Sequence, residues 1–462
     1  MLIFSGIYKN AEENPSKVCM TLGDTSVTYS ELVRSIHERA VFLAGTYEKG
    51  EKVIIKNVNP INTVINFLAC SRAGLISIPV DIKILPSNLE RIVKKINPCC
   101  IIDDKFTYKN CNNSVEKKHE IKSLNECLCK ESNFIFPNIK DTDIFLGALS
   151  SGTTGHNKVI WRDHKSWTSA FKNQSEVFNI SYKDIIFLVG SLSYTANLNN
   201  AMHILNEGGS IVFSKNIYPK TWLLEIEENN VSSIFMVPAH YRILLKEIKE
   251  SIPNVNSLLS CGDKLDLKTV SELKEKFPNA HICEYYGASE LGHVAYINFR
   301  ENFEIGSVGK AFPEVQFWVE DSLVWVKSPY IAPDFRPKAT VGDMGRIDEQ
   351  GNLYLLGRKN CTINKGGIKI LPYDIEKVLN NHPKILKAVV FGIKHPVKGE
   401  EIAAIILPRD NKLTIKEVME YCKNNLELHY RPQKIKIVKD IKLNLSGKID
   451  KKELINSFNS TY

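Results

Sequence analysis

Leu149–Ser150–Ser151–Gly152–Thr153–Thr154–Gly155–His156–Asn157–Lys158 joins two apolar runs, Asp143–Leu149 and Val159–Trp161, and its reading decides the fold. Glycines let a loop take backbone angles closed to other residues and bring its N–H groups close to a ligand. Successive N–H groups in such a loop form an anion-binding nest, and the interleaved hydroxyls add donors. Lys158 adds a point charge suited to phosphate. The stretch is not the G-x-x-x-x-G-K-[ST] loop, because Gly152 and Gly155 are three apart and Lys158 leads into a strand-like run. A plain Ser/Gly hairpin loop would use the same residues, so the stretch alone leaves both readings open.

Working outward, the flanking sequence alternates strand and helix patterns. Lys52–Val58, Leu75–Val80 and Cys99–Ile102 read as strands, with Asn62–Arg72 and Ser87–Lys95 as helices between them. Beyond the loop, Ile185–Val189, Ser210–Phe213, Ser233–Val237 and His281–Glu284 are strand-like, and Asn197–Leu205 is helical. Such alternation predicts βαβ units and a layered α/β fold. Two polar turns, Ser260–Asp263 and Tyr285–Glu290, are expected just past strands, where open α/β sheets bind ligands. Residues 104–140 carry no clear period and read as a variable surface segment.

From 301 to 357 the pattern changes to short strands and turns, at Gly306–Gly309, Val315–Val319, Leu323–Val326 and Leu353–Leu356. After Gly357–Arg358 a compact pattern of helix Tyr373–Leu379 and strands Ala388–Phe391 and Glu401–Leu407 begins. The expected division is therefore 1–357, a large N-terminal domain of layered α/β subdomains with a small β-rich subdomain, and 358–462, a small α+β domain.

The chain has 462 residues and a net charge of +8. Residues 358–462 hold 21 Lys+Arg against 11 Asp+Glu, a net of +10, which leaves 39 against 41 in the first 357. That asymmetry suits a polyanionic partner of the C-terminal portion, or a solvated lysine-rich surface. The 11 cysteines are scattered without metal-ligand spacing, as in reduced cytoplasmic proteins. Met1–Phe4 runs into polar and acidic residues rather than a leader's apolar core, and no run is long enough to span a bilayer. Nucleic-acid binding lacks an aromatic-interleaved basic patch.

Taken together, the motifs resemble the adenylate-forming superfamily of acyl-CoA synthetases, nonribosomal-peptide adenylation domains and firefly-type luciferases. The resemblance covers nearly the whole chain. It rests on the Ser150–Lys158 loop, Tyr285–Glu290, Gly342–Asp343, Gly357–Arg358, Gly366–Gly367 with Pro372 and Ile375–Glu376, and Leu445–Asp450, in the superfamily's order. It implies that a carboxylic acid attacks MgATP to form an acyl adenylate, and that a thiol then displaces AMP. By this resemblance Ser151, Gly152, Thr153, Thr154, Gly155 and Lys158 would hold phosphates, Ser289 would touch phosphate, and Glu290 would hold Mg²⁺. Tyr286 and Gly287 would border adenine, Asp343 would accept the ribose hydroxyls, and Arg358 would stand beside the nucleotide. Lys448 would swing in to neutralise charge as adenylate forms. The small domain would be mobile, hinging near Asn360, with Gly366 and Gly367 lining a pantetheine tunnel.

Each assignment has a plainer reading. Glu290 suits a solvated cap, Asp343 a turn, Tyr286 core packing and Lys448 an ordinary surface. Asn157, Val341 and Asn360 depart from the superfamily's usual Pro, Thr and Asp or Lys. Tyr194 stands where many members carry a gate histidine. Ser193–Ala196 lacks the aspartate that amino-acid-activating members use, and an unpaired ammonium in an apolar pocket is costly. The expected acid therefore lacks an α-amino group; Tyr194, Ala196, Phe235 and Ala288 would suit the pocket of an aliphatic, fatty-acid-like one, though Ala196, Phe235 and Ala288 equally suit core packing. The thiol acceptor is expected to be coenzyme A; the runner-up is a carrier protein's phosphopantetheine arm.

Overall fold

The structure is a computed structural model that describes residues 1–103, 108–110, 134–151, 157–365, 368–395, 399–410, 412–441, 449 and 451–459. Loop residues 152–156, Gly366, Gly367 and Lys448 lie outside them, as does most of the 104–140 segment. The chain forms two compact units. One comprises Met1–Phe303, Lys310–Gln316 and Lys327–Ala339; the other comprises Glu304–Gly309, Phe317–Val326 and Thr340–Tyr462.

Two sheets build the first unit. The larger runs Lys310–Ala311, Gly292–Asn298, His281–Ala288, Ser257–Cys261, Ser233–Phe235, Ile185–Leu188, Ser210–Phe213, Val18–Leu22 and Thr25–Thr28 in spatial order. From His281–Ala288 across to Val18–Leu22 every pairing is parallel, and the edges are antiparallel. Phe187, Ile234, Leu258 and Ile282 of these strands form one core with Trp222, Tyr241, Val270 and Leu273 of three covering helices. Burial of this apolar surface is what the strand–helix alternation in sequence encodes.

In the second sheet of this unit the order is Tyr108–Asn110, Cys100–Ile102, Lys52–Asn57, Ile76–Asp81, Ile144–Ser151 and Asn157–Asp163. Helix Pro60–Arg72 connects two of its parallel strands. Proline at its first position and the Asn59 side chain, accepting from Ile61 and Asn62 N–H, fix where it starts. The last two strands of the sheet pair antiparallel from Ile144–Asp163 to Ser151–Asn157, with a register shift between Ile144 and Leu146. The glycine-rich stretch thus lies between two paired antiparallel strands, which leaves both readings of it open.

In the second unit, strands Gln316–Glu320, Leu323–Lys327, Asp343–Ile347 and Leu353–Arg358 make a four-stranded sheet. Another sheet centres on Ile385–His395 and Gly399–Pro408, joined by Ile363–Lys365, Ile368–Ile370 and Lys434–Ile437. Strand alternation sends Ala388 and Val390 to one core with helices Pro372–Asn380 and Ile415–Asn425, and Val389 and Phe391 to another with helix Lys451–Asn459. The architecture is the mixed α/β one expected from sequence.

Of the short strands and turns expected from 301 onward, Gly306–Gly309 is turn and loop, with Gly306 and Gly309 at φ of 89° and 88°, ahead of the short strand Lys310–Ala311. One local expectation was wrong. Tyr285–Ala288 does not follow a strand but continues one, because it pairs antiparallel with Gly292–Asn298 through a bulge between Tyr286 and Gly287.

Candidate active site

Strands Ile185–Leu188, Ser233–Phe235, Ser257–Cys261 and His281–Ala288 are parallel neighbours, so their carboxyl ends share one edge of the large sheet. Gly190, at φ 99°, opens the Ser191–Tyr194 turn there, and Gly262, at φ 91°, reverses the chain after Cys261. Ser289 and Glu290 close the hairpin that follows Ala288. Helix Thr195–Glu207 begins beside them, and the Thr195 and Ser289 hydroxyls are 3.2 Å apart. Its N-terminus brings free N–H groups to the same edge, a setting suited to anions.

The turn carrying Ser289 and Glu290 is held through its backbone. Arg162 Nη1 donates to the Ser289 carbonyl at 2.9 Å, and Ala332 N–H donates to the Glu290 carbonyl at 2.9 Å. Arg162 Nη2 also donates to the carbonyls of Tyr330 and Ser166, at 2.7 and 3.0 Å. Arg162 is 1 % exposed, and burial pushes its guanidinium down to about 9. Next to it, Asp163 pairs with Arg336 at 2.8 Å. Reading Val159–Trp161 as a bare apolar strand missed Arg162; a cation in an otherwise buried strand was the available signal.

Among the expected loop residues, Ser151 ends its strand by pairing with Asn157, and Lys158 is exposed on the returning strand. Gly152, Thr153, Thr154 and Gly155 lie outside the described residues. Tyr286 is half-buried and Gly287 exposed. Tyr194 caps helix Thr195–Glu207, and burial, then the Asp81 charge, raises its phenol. Ala196 and Ala288 are half-buried, whereas Phe235 is 2 % exposed and stacks on Tyr285 with ring centres 6.4 Å apart. Behind this edge, Glu284 is fully buried and accepts from Leu265 N–H at 2.5 Å; burial raises its carboxyl.

In the second unit Asp343 and Arg358 face each other across paired strands, and Arg358 Nε donates to Asp343 Oδ1 at 3.0 Å. Asp343 is buried and Arg358 is about half-exposed. Gly342, at φ 81°, makes the turn that delivers Asp343, so Val341 stands at the position of the usual threonine. Asn360 lies in the short helical turn Lys359–Cys361. Among the described residues no three His, Cys, Asp or Glu side chains converge as a metal cage. No described helix is long and apolar enough to cross a membrane. The eight described cysteines are free.

A sequence profile described as AMP-binding enzyme matches residues 7–326, and one described as AMP-binding enzyme C-terminal domain matches 374–448. VraA of Staphylococcus epidermidis, provisionally named a long chain fatty acid-CoA ligase, is 26 % identical over 458 residues, covering 96 % of both chains. The ATP-bound crystal structure of MatB from Rhodopseudomonas palustris superposes with a TM-score of 0.84 at 20 % identity over 100 % of both chains. o-Succinylbenzoate CoA synthetase of Bacillus subtilis, in complex with its acyl-adenylate intermediate, gives 0.81 at 20 % identity over 97 % of both. These two likenesses are of fold.

Proposed function

Because the chain belongs to the AMP-binding enzymes of the adenylate-forming superfamily, we propose that it is an acyl-CoA ligase acting on an aliphatic carboxylic acid. The acid's carboxylate attacks the α-phosphate of ATP, forming acyl-AMP and releasing pyrophosphate. The thiol of coenzyme A then attacks the acyl carbon, forming the thioester and releasing AMP. The observation that carries this reading is the backbone-clamped Ser289–Glu290 turn at the carboxyl edge of the parallel sheet.

Two anions must meet in the first step, so fixed cations and oriented N–H groups dominate the catalysis. Lys158 and the Gly152–Gly155 loop would hold phosphates, with Ser289 beside them. Glu290 would hold Mg²⁺, which commonly uses one or two protein carboxylates plus substrate phosphates. The metal would supply charge neutralisation on the triphosphate. Asp343, oriented by Arg358, would accept the ribose hydroxyls, and Tyr286 would flank adenine. Lys448 would offset charge developing at the α-phosphate. Residues 358–462 would move as the smaller domain about Asn360, with Gly366 and Gly367 beside the pantetheine arm and the basic excess facing anionic coenzyme A. Leu198, buried on helix Thr195–Glu207 beside Ala196, supports an apolar tail over an ammonium-bearing one.

The test is pyrophosphate release with MgATP over aliphatic, aromatic and amino acids, with and without coenzyme A. Release with an aliphatic acid, with thioester formed when coenzyme A is added, is expected. Adenylate that accumulates untouched by coenzyme A would point to a carrier protein as acceptor. No release with any acid would overturn the proposal.

A further inference from the structure

Arg162 holds three carbonyls from three separate segments, Ser166, Ser289 and Tyr330, at 2.7 to 3.0 Å. A buried cation is an expensive way to fill space, since an apolar side chain of similar volume is often at least as stabilising. What the planar guanidinium offers instead is a rigid fork of donors with fixed directions. The Ser289 carbonyl needs such a donor: the hairpin closes through Leu291 N–H onto the Ala288 carbonyl, not onto Ser289. Asp163 is engaged by Arg336, so Arg162 is left to satisfy backbone carbonyls.

The position of Arg162 along its strand gives the clamp a second consequence. Strand side chains alternate faces, so Lys158 and Arg162, four residues apart, belong to the same face of Asn157–Asp163. That strand leaves the glycine-rich loop with Lys158 and reaches Ser289 with Arg162. It thereby ties the strand bearing Lys158 to the Ser289–Glu290 turn.

We infer that Arg162 is a positioning residue: its buried guanidinium sets the Ser289–Glu290 turn in register with the strand bearing Lys158, so that both meet the metal–triphosphate end of the nucleotide. Arg162 itself touches neither. The inference rests on the proposed ATP-dependent function and assigns Arg162 the part of bringing Glu290 to Mg²⁺. Lysine cannot replace it, because one ammonium cannot reach three carbonyls arranged around a planar fork.

The experiment is calorimetric titration of ATP into the full chain, with and without Mg²⁺, for wild type, Arg162→Met and Arg162→Lys. Metal-free ATP affinity is expected to change by less than about threefold, since Lys158 and the loop are retained. The tightening produced by Mg²⁺ is expected to shrink by about tenfold in both variants. Their kcat for pyrophosphate release should fall on the order of 100-fold, the scale of a misplacement near 1 Å, with KM for the acid unchanged. A purely structural arginine would lower the melting temperature and leave the Mg²⁺ increment intact, and that result overturns the inference. If Arg162→Met does not fold, Arg162→Lys, which keeps the buried charge, decides by the same increment. A wild type that gains no ATP affinity from Mg²⁺ overturns the inference whatever reaction it runs. A wild type that gains affinity but releases no pyrophosphate overturns the ligase reading alone, and the variants still decide the role of Arg162.

Discussion

Gly287→Ala would insert a methyl group where the hairpin has no room for it. A Cβ at Gly287 would lie 2.4 Å from the Gly292 carbonyl oxygen and 3.3 Å from its carbonyl carbon. Real Cβ atoms essentially never come closer than 3.0 Å, so the backbone must open by at least about 0.6 Å at the bulge between Tyr286 and Gly287. Both obstructing atoms are main chain, and neither can rotate away. Overpacking of this kind costs about 1–3 kcal/mol. At about 2–4 °C per kcal/mol, the melting temperature should fall by roughly 2–12 °C. The displaced segment leads directly into Ser289 and Glu290, so pyrophosphate release should fall by about 10²-fold even where the protein is fully folded. Differential scanning fluorimetry reads the first effect and a coupled pyrophosphate assay at 15 °C the second. A melting temperature within about 1 °C of wild type would refute the steric argument. A lowered melting temperature with unchanged kcat would refute the link from bulge to site.

Three further outcomes are expected. Gly45→Ala, in helix Tyr29–Thr46 with its nearest obstacle 3.8 Å away, should stabilise by about 0.5 kcal/mol; a lower denaturation midpoint would contradict this. Asp343→Asn removes the carboxylate that Arg358 engages and should weaken nucleotide binding by about 10- to 100-fold, the worth of a charge-assisted hydrogen bond, with little change in melting temperature; undiminished binding of a fluorescent ATP analogue would count against the ribose assignment. Burial pushes His203 and His293 each down to about 3, so the unfolded chain takes up protons below its ordinary pKa of 6.5 while the folded chain does not. Their stabilising contribution is whole above pH 6.5 and is lost as pH falls, by about 2 kcal/mol each at pH 5. Denaturant midpoints from pH 7 to 5 should show this, and His293→Phe, stacking on Phe312, should flatten the slope by about one proton; an unchanged slope would disprove the assignment.

The elements most legible in the sequence are those whose burial repeats with a clear period. Lys52–Asn57, Ile76–Asp81 and Ser210–Phe213 are runs buried on both faces of parallel sheets, and helix Pro60–Arg72 carries its start signal in Asn59 and Pro60. Tyr285–Ala288 was less legible because its strand character comes from a partner, Gly292–Asn298, that lies across a tight turn and contains no repeating apolar pattern. Gly287 read as part of a polar turn, yet it is needed where two backbones nearly touch.

The candidate site shows why motif residues are easier to name than to explain. Ser289 and Glu290 stand out in the sequence through the polar signature around them, whereas what holds them does not. Arg162 and Ala332 reach that turn from 127 and 42 residues away in the chain, through backbone carbonyls that every residue type possesses. A carbonyl acceptor leaves no mark on composition or spacing, so only the donor is visible, as one arginine amid Val159, Ile160 and Trp161. Burying that donor raises its energetic cost, and three good hydrogen bonds offset much of it. The least conspicuous charge in the motif region is therefore the one whose removal should disturb the geometry of the site most.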